Sequence, residues 1–191
     1  MAAPVPEVYE RLDPWTEEDF LALPVDRRIE LLDGALLVSP MARGGHQRMS
    51  FRVSVALDAA APEGLEVLET VNVRVAPGRI LIPDIVVINK PGLDVVVYDP
   101  AVVVMVVEIT GKGRPAADRA IKPALYARAG IPHYLRIELR DGGPVGFVYR
   151  LVKRRYVEVA RSAPGQPLVL TEPIAVTLDL AALAAATRPP R

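Results

Sequence analysis

The stretch PDIVVI, residues 83–88, puts a carboxylate, Asp84, at the start of a short apolar run. A second apolar run, 101–107, leads directly into Glu108. Both runs are rich in β-branched residues and bounded by turn residues, so each predicts a strand buried on both faces. The connection 89–100 is rich in Pro, Gly and Asp, which is typical of a loop that returns the chain. If the two strands are antiparallel neighbours, both carboxylates meet at one edge of the sheet.

These two carboxylates are candidate metal ligands. Carboxylates held close together repel one another, and burial penalises their charged forms. A divalent cation such as Mg²⁺ or Mn²⁺ removes that cost, and Mg²⁺ binds one or two carboxylates while keeping water and substrate phosphate in its other positions. A structural role fits the spacing as well, with Asp84 capping a turn and Glu108 pairing with an arginine. The sequence pattern leaves both interpretations open.

A helix is predicted after the second strand. Asp118, Lys122 and Tyr126 are spaced four apart, so on a helix they share one face. Gly111 and Gly113 in the preceding link would let this helix fold back over the strand ends, where the Lys122 ammonium could hold a phosphate or a metal-bound water. The alternative is an exposed Asp118–Lys122 pair, worth roughly 0.2–0.5 kcal/mol.

The ends of this helix are predicted from its proline and glycine. Proline is tolerated in the first turn of a helix, so we expect Pro123 there and Lys122 at the helix entrance. Gly130 is expected to cap the other end.

In this order, Pro-Asp84, an apolar strand ending in Glu108, and Asp-x-x-x-Lys-x-x-x-Tyr-x-x-Ala-Gly-Ile-Pro-x-Tyr from Asp118 onward resemble the Uma-two family of PD-(D/E)XK restriction-endonuclease-like proteins. The resemblance extends upstream to RIELLDG at 28–34 and covers the chain from about residue 16 to residue 180. It implies an α/β (α+β) fold in which a mixed twisted sheet is flanked by helices. It also implies a metal-dependent endodeoxyribonuclease that hydrolyses DNA phosphodiester bonds.

The resemblance also implies roles for individual residues. Asp84 and Glu108 would bind Mg²⁺ or Mn²⁺, and Lys122 would be the catalytic lysine, displaced from strand to helix. In the broader PD-(D/E)XK pattern the lysine lies two residues after the glutamate, where this chain has Thr110. The catalytic role of the lysine therefore depends on Lys122.

Further residues complete the predicted site. Glu30 and His46 match family positions near the site, and we expect Glu30 to accept a proton or bind a second ion. The carbonyl near Ile109 is a further candidate metal ligand, and Asp118 and Tyr126 are predicted to support the site. From the residues alone, Glu30 is equally well a solvent-facing strand charge. His46 would lie at a helix N-terminus, where a lone histidine is more often structural.

Bulk composition limits the class of protein. The 191 residues suit one domain, with a flexible arm expected at 1–13 and a single nuclease-like domain at 14–191. Cysteine is absent, which excludes a disulfide framework and a zinc–thiolate site and fits a cytoplasmic protein. We expect no signal peptide and no membrane contact, since no apolar run approaches the ~20 residues that span a bilayer.

The formal net charge is zero, with 23 basic and 23 acidic residues. Proteins that bind long DNA tightly usually carry a basic excess, so the balance favours a weak or local DNA contact. It also favours the alternative of a catalytically inactive module that retains the fold for binding. An RNA or nucleotide hydrolase is a further alternative. Double-strand cleavage would need two sites, which a homodimer would supply.

The remaining elements are predicted from periodicity and turn residues. A short helix begins after Thr16, the Asp33-Gly34 turn makes 29–38 a hairpin, and 46–61 is an amphipathic helix. Alternation predicts one strand over 65–75. The predicted C-terminal elements are strands at 134–139, 145–152 and 156–160 and a short closing helix or tail at 180–186.

Overall fold

The computed structural model describes residues 13–23, 28–38, 42–89, 94–111 and 116–185. Apart from residue 13, the expected arm at 1–13 lies outside the described residues, so it stays a prediction. The helices are α1 (Glu17–Leu21), α2 (Gly44–Ala60), α3 (Ala116–Ala129) and α4 (Leu180–Ala185). The strands are β1 (Ile29–Leu32), β2 (Ala35–Val38), β3 (Glu66–Glu69), β4 (Asn72–Ala76), β5 (Arg79–Leu81), β6 (Ile85–Ile88), β7 (Val97–Tyr98), β8 (Val103–Thr110), β9 (His133–Glu138), β10 (Val145–Val152), β11 (Arg155–Arg161), β12 (Leu168–Leu170) and β13 (Val176–Leu178).

The strands form two main sheets and a small hairpin. The six-stranded sheet has the order β11-β10-β9-β8-β6-β3, and the five-stranded sheet has the order β2-β1-β5-β4-β7. Within the six-stranded sheet, β8 and β9 are parallel and the other neighbours are antiparallel. The predicted fold class, a mixed sheet flanked by helices, is confirmed. The division of the strands between two sheets, and the β12–β13 hairpin, were not predicted.

The prediction of one strand over 65–75 is wrong, because the chain changes sheets within it. Thr70 has a φ of 56°, in the left-handed region, and it separates β3 from β4. β3 pairs with β6 in one sheet, whereas β4 pairs with β5 in the other. The alternation holds for β4 alone, where Val73 and Val75 are buried. A threonine with positive φ is uncommon, so the local pattern gave no sign of the break.

The predicted hairpin at 29–38 is confirmed as β1 and β2. Asp33 and Gly34 both have positive φ, 51° and 81°, as a two-residue turn with the twist of a hairpin requires. A Cβ on Gly34 would lie 2.7 Å from the Cβ of Pro14, so this position also needs glycine for space. The hairpin holds Glu30 on β1, which lies between β2 and β5.

The predicted amphipathic helix is α2, which packs on one face of the six-stranded sheet. Met49, Val53 and Leu57 form its buried stripe, in one apolar cluster with Met105 and Val107 of β8. Burying each side chain of this kind contributes about 1.5–3 kcal/mol. This packing fixes the N-terminal turn of α2, and with it His46, beside the ends of the strands.

The helix α3 covers the other face of the same sheet, and its start differs from the prediction. It begins at Ala116, so Pro123 lies in its interior rather than in its first turn. An interior proline removes a backbone hydrogen bond and costs about 3 kcal/mol. Burial of Leu125 and Tyr126 against the sheet offsets that cost. The predicted end is confirmed, since Gly130 follows the helix with a φ of 87°.

The run 101–107 also continues further than predicted. Its first residues belong to a short 3₁₀ turn, Pro100–Val102, and the strand then extends to Thr110. Glu108 therefore lies two residues before the end of β8, not at its end. Within the described part of the chain, no helix combines the length and the apolar character that crossing a bilayer requires.

Candidate active site

Asp84 and Glu108 lie side by side, as predicted. β6 and β8 are antiparallel, and Ile85 pairs with Val107, so the residue before β6 stands opposite the residue that follows Val107. Both carboxylates are buried, with 1% and 3% of their surface exposed. Burial of two neighbouring carboxylates requires compensation by positive charge or hydrogen bonds.

Asp84 is compensated by three groups. The Ile109 N–H donates to its Oδ2 at 2.7 Å, and His46 Nε2 lies 3.2 Å from the same oxygen. Arg28 Nη1 lies 2.9 Å from Oδ1, an ion pair whose angles fall short of a hydrogen bond. Burial acts to raise the pKa of Asp84, but the His46 hydrogen bond and the Arg28 charge outweigh it and lower the pKa to about 2. Asp84 is therefore ionised at neutral pH.

His46 bridges Asp84 and the main chain of β8. Its Nε2 lies 2.8 Å from the Ile109 carbonyl oxygen, which can only accept, so Nε2 carries a proton. The hydrogen bond to Asp84 raises the pKa of His46, and burial partly opposes that shift. Its Nδ1 is buried and has no hydrogen-bond partner among the described residues. His46 Nε2 thus contacts two oxygens, one from Asp84 and one from Ile109, that were predicted to be metal ligands.

Glu108 is held by two side chains of α3. The Tyr126 hydroxyl donates to its Oε1 at 2.7 Å, and Lys122 Nζ lies 3.4 Å from the same oxygen. Burial raises the pKa of Glu108 above its ordinary value, and the negative charges of Asp84 and Glu30 add to that rise. Lys122 opposes the rise without cancelling it. Glu108 is thus the more easily protonated of the two central carboxylates.

Lys122 connects Glu108 to Glu30. Its Nζ lies 2.7 Å from Glu30 Oε1, which also accepts the Ile82 N–H at 2.7 Å. Burial acts to lower the pKa of Lys122, but the charges of Glu108 and Glu30 raise it above the ordinary value, so the ammonium stays charged. The structure excludes the solvent-facing alternative for Glu30, which is buried.

The structure rules out two of the expectations about Lys122, the exposed surface pair and the place at the helix entrance. Its side chain is only 16% exposed, so it does not form a surface pair. Its predicted place at the helix entrance is wrong, because α3 begins six residues earlier, yet its face of the helix is the one that meets Glu108. Asp118 lies in α3, but its side chain falls outside the described residues, so its supporting role stays a prediction.

Arg28 is a site residue that the sequence did not single out. One Nη is paired with Asp84, and the other donates to the Ile82 carbonyl. Arg28 could have been predicted only from the need for a cation beside two buried carboxylates, together with its position two residues before Glu30. No local pattern distinguishes this arginine from the 18 others in the chain.

The charges of the assembled site balance when His46 is protonated. Three carboxylates, those of Glu30, Asp84 and Glu108, face three cationic groups. The cationic groups are the side chains of Arg28, His46 and Lys122. Among the residues that the structure describes, no three His, Asp or Glu side chains are grouped so as to hold a metal ion.

The predicted donor set is smaller than such a group, and its chemistry fits Mg²⁺. It consists of two carboxylates and one main-chain carbonyl, all of them hard oxygen ligands of the kind that Mg²⁺ binds. Asp84 Oδ2 and the Ile109 carbonyl oxygen converge on one point, now taken by His46 Nε2. A cation bound there would replace the positive charge of the ring, provided that the ring turns away.

Comparison with known proteins places this chain in a family. A family model described as "Uma2: Putative restriction endonuclease" matches residues 17–183. The chain is a member of the Uma2 family. This confirms the resemblance drawn from Asp84, Glu108 and the Asp118 motif. No curated protein matches this chain.

The Uma2 fold is also found in a solved structure. The crystal structure of "a putative nuclease belonging to DUF820" from Anabaena variabilis is similar, with a TM-score of 0.70 and 16% sequence identity. The match covers 90% of this chain and 99% of that one. At this identity the likeness shows the fold alone. The family is therefore Uma2 and the fold is restriction-endonuclease-like, while the roles of the site residues stay predictions.

Proposed function

We propose that this Uma2 protein is a metal-dependent endodeoxyribonuclease that hydrolyses DNA phosphodiester bonds. One observation carries the proposal. Two buried carboxylates, Asp84 and Glu108, lie side by side, and the ammonium of Lys122 lies 3.4 Å from the second of them. Paired carboxylates with an adjacent lysine provide the charges that phosphodiester hydrolysis requires, which are ligands for a cation and a positive group for the transition state.

Asp84, Glu108 and the Ile109 carbonyl would hold Mg²⁺ or Mn²⁺. When bound, the ion would supply polarisation of the phosphate and a lowered pKa for a bound water. The Ile109 N–H keeps Asp84 Oδ2 directed toward the ligand position, and Tyr126 holds Glu108 Oε1. The protein thus orients both carboxylates from the main chain of β8 and from α3.

Lys122 would orient the attacking water or offset negative charge on the transition state. Glu30 fixes its position, and the Ile82 N–H fixes Glu30 in turn. Glu30 Oε1 accepts hydrogen bonds from both Lys122 Nζ and the Ile82 N–H. Its main effect is therefore to position Lys122. Proton acceptance or second-ion binding by Glu30 remains part of the proposal.

A catalytically inactive binding module is the second candidate, and one observation favours it. His46 and Arg28 already compensate Asp84, and His46 also satisfies the Ile109 carbonyl. A site that is electrically complete without a cation needs none to be stable. The two candidates differ in whether a divalent ion displaces His46.

Metal titration separates these candidates. We expect calorimetry to show binding of Mn²⁺ or Mg²⁺ to the wild type and a loss of at least about tenfold in affinity in Asp84→Ala and Glu108→Ala, since each removes one charged ligand. Asp58→Ala, which removes an exposed carboxylate from α2, is the matched control and should bind like the wild type. Equal binding of the metal ion by the wild type and all three variants would rule out the proposed metal site.

Cleavage tests the lysine and the substrate. Lys122→Ala should keep metal binding and lose plasmid cleavage by about 10²–10³-fold, as expected when one stabilising group for the transition state is removed. Unchanged cleavage would exclude Lys122 from the mechanism.

Single-stranded RNA, nucleotides and DNA offered side by side as substrates distinguish a DNA nuclease from an RNA or nucleotide hydrolase. A cytoplasmic location and a homodimer are further parts of the proposal.

A further inference from the structure

A row of side chains extends from the candidate site across the six-stranded sheet. Glu108 on β8 pairs in register with Arg136 on β9. Arg136 pairs with Phe147 on β10, which pairs with Arg161 on the edge strand β11. Paired residues on neighbouring strands project from the same face of a sheet. The face that carries the two carboxylates therefore continues into basic residues.

Three guanidinium groups surround the ring of Phe147. Arg136 lies 4.7 Å from the ring centroid, and Arg140 and Arg161 each lie 5.6 Å from it. Such contacts between a cation and an aromatic face are favourable. Phe147 is buried, yet it joins none of the three apolar clusters formed by the described residues, which is consistent with a ring covered by arginines. We call these four residues the arginine platform.

Two carboxylates hold the platform in place without neutralising it. Glu138 pairs with Arg136 and Arg140, and Glu158 pairs with Arg161. Three positive charges against two negative ones leave an excess of one. A guanidinium has five N–H donors, and each carboxylate uses only some of them.

The platform is also open to a ligand. The side chains of Arg140 and Arg161 are 52% and 66% exposed. Because stacking and ion pairing already restrict them, they would lose little conformational entropy on binding. Their planar forks match the oxygens of a phosphate in a bidentate manner. The surface is thus preformed for an anion with several oxygens.

We propose that the arginine platform binds the phosphate backbone of the DNA strand beside the phosphodiester that is cleaved. This rests on the proposed function. Neighbouring strands lie about 4.8 Å apart, so the platform extends from one to three strand spacings, roughly 5–14 Å, beyond Glu108. The chain has no net charge to attract DNA as a whole. A local basic surface continuous with the candidate site supplies the contact that the overall charge does not.

Paired double variants test the platform. Arg140→Gln with Arg161→Gln removes its two exposed cations, and Arg128→Gln with Arg150→Gln removes the same charge elsewhere. Arg128 lies in the last turn of α3, and Arg150 pairs with His133 at the beginning of β9. All four arginines are exposed, so both variants should melt like the wild type. Comparing the two double variants separates the effect of losing the platform contacts from the effect of lowering the net charge.

Fluorescence anisotropy of a short labelled DNA duplex, without divalent metal and over a salt series, gives the readout. We expect the platform variant to bind at least about tenfold more weakly. The slope of log affinity against log salt should shrink by roughly 2, because two fewer phosphates are neutralised by the protein. The control variant should keep the affinity and slope of the wild type.

The outcomes distinguish a failure of the platform from a failure of the proposed function. Wild-type binding with equal affinities for both double variants would overturn the platform and leave the proposed function standing. No DNA binding by the wild type would overturn both proposals, the arginine platform and DNA as the substrate in the proposed function. Competition by polyglutamate as effective as by unlabelled DNA would also overturn the platform, since the surface would then show no preference for a phosphate backbone.

Discussion

The two faces of β8 have opposite compositions and opposite consequences. Met105, Val107 and Ile109 project into the apolar cluster beneath α2. The alternate residues on the other face change from apolar Val106 to buried Glu108 in the space of two positions. One face contributes stability through burial, whereas the other needs compensation for every charge it carries. The stability of the fold is therefore expected to depend on buried apolar volume at one face of β8 and on the ionisation state of the carboxylates at the other.

The largest expected effect is on the apolar face. Met105→Ala should lower the free energy of unfolding by about 2–5 kcal/mol, because it removes buried apolar atoms and leaves a cavity between α2 and β8. Metal affinity should stay that of the wild type, because no site residue changes. Urea denaturation and calorimetry measure the two quantities. Val159→Ala, an exposed position on β11, is the control. Loss of metal binding in folded Met105→Ala protein would contradict the separation of the two faces.

The next effect is the pH dependence that Asp84 confers. Its pKa is lowered to about 2 in the folded state, against about 3.9 unfolded, so it stabilises the fold above pH 3.9. That contribution, on the order of 2 kcal/mol, is lost as pH falls through 2. Asp84→Asn should therefore be less stable than the wild type at pH 7, and the two should converge in acid. Urea denaturation across this pH range measures the difference. A difference that persists unchanged below pH 2 would show that the ion pairs are not its source.

The smallest effect, and one of opposite sign, is expected at Glu108. Its pKa is raised in the folded state, so its ionised form opposes folding above that pKa and has no such effect below the unfolded value of about 4.3. Glu108→Gln should therefore be at least as stable as the wild type at neutral pH, while losing metal binding. Thermal melts at pH 4 and pH 8 measure this. A large loss of stability at pH 8 would mean that Glu108 is structural.

Sequence patterns predicted the parts of the site that depend on local periodicity. The two apolar runs predicted strands that, as antiparallel neighbours, would bring Asp84 and Glu108 together, and the spacing of four placed Lys122 and Tyr126 on one helix face. Both features depend on short-range geometry, which the sequence encodes directly. The family motif added Glu30 and His46, which the structure places in the same network.

The features that the sequence did not predict depend on long-range packing. Arg28 gains its role because Asp84 and the Ile82 carbonyl come from a distant part of the chain to meet it. Pro123 stands inside α3 because the sheet buries the residues that follow it, which outweighs local preference. The change of sheet at Thr70 likewise reflects competition between two sheets for neighbouring segments.

The proposed metal site is tested most directly by a crystal structure of the wild type soaked with Mn²⁺, with anomalous data recorded to locate the ion. We expect one Mn²⁺ bound by Asp84, Glu108 and the Ile109 carbonyl, with the His46 ring turned away and Lys122 Nζ facing the same cavity. Saturating Mn²⁺ with no ion at these oxygens, and with His46 still bonded to Asp84, would contradict it.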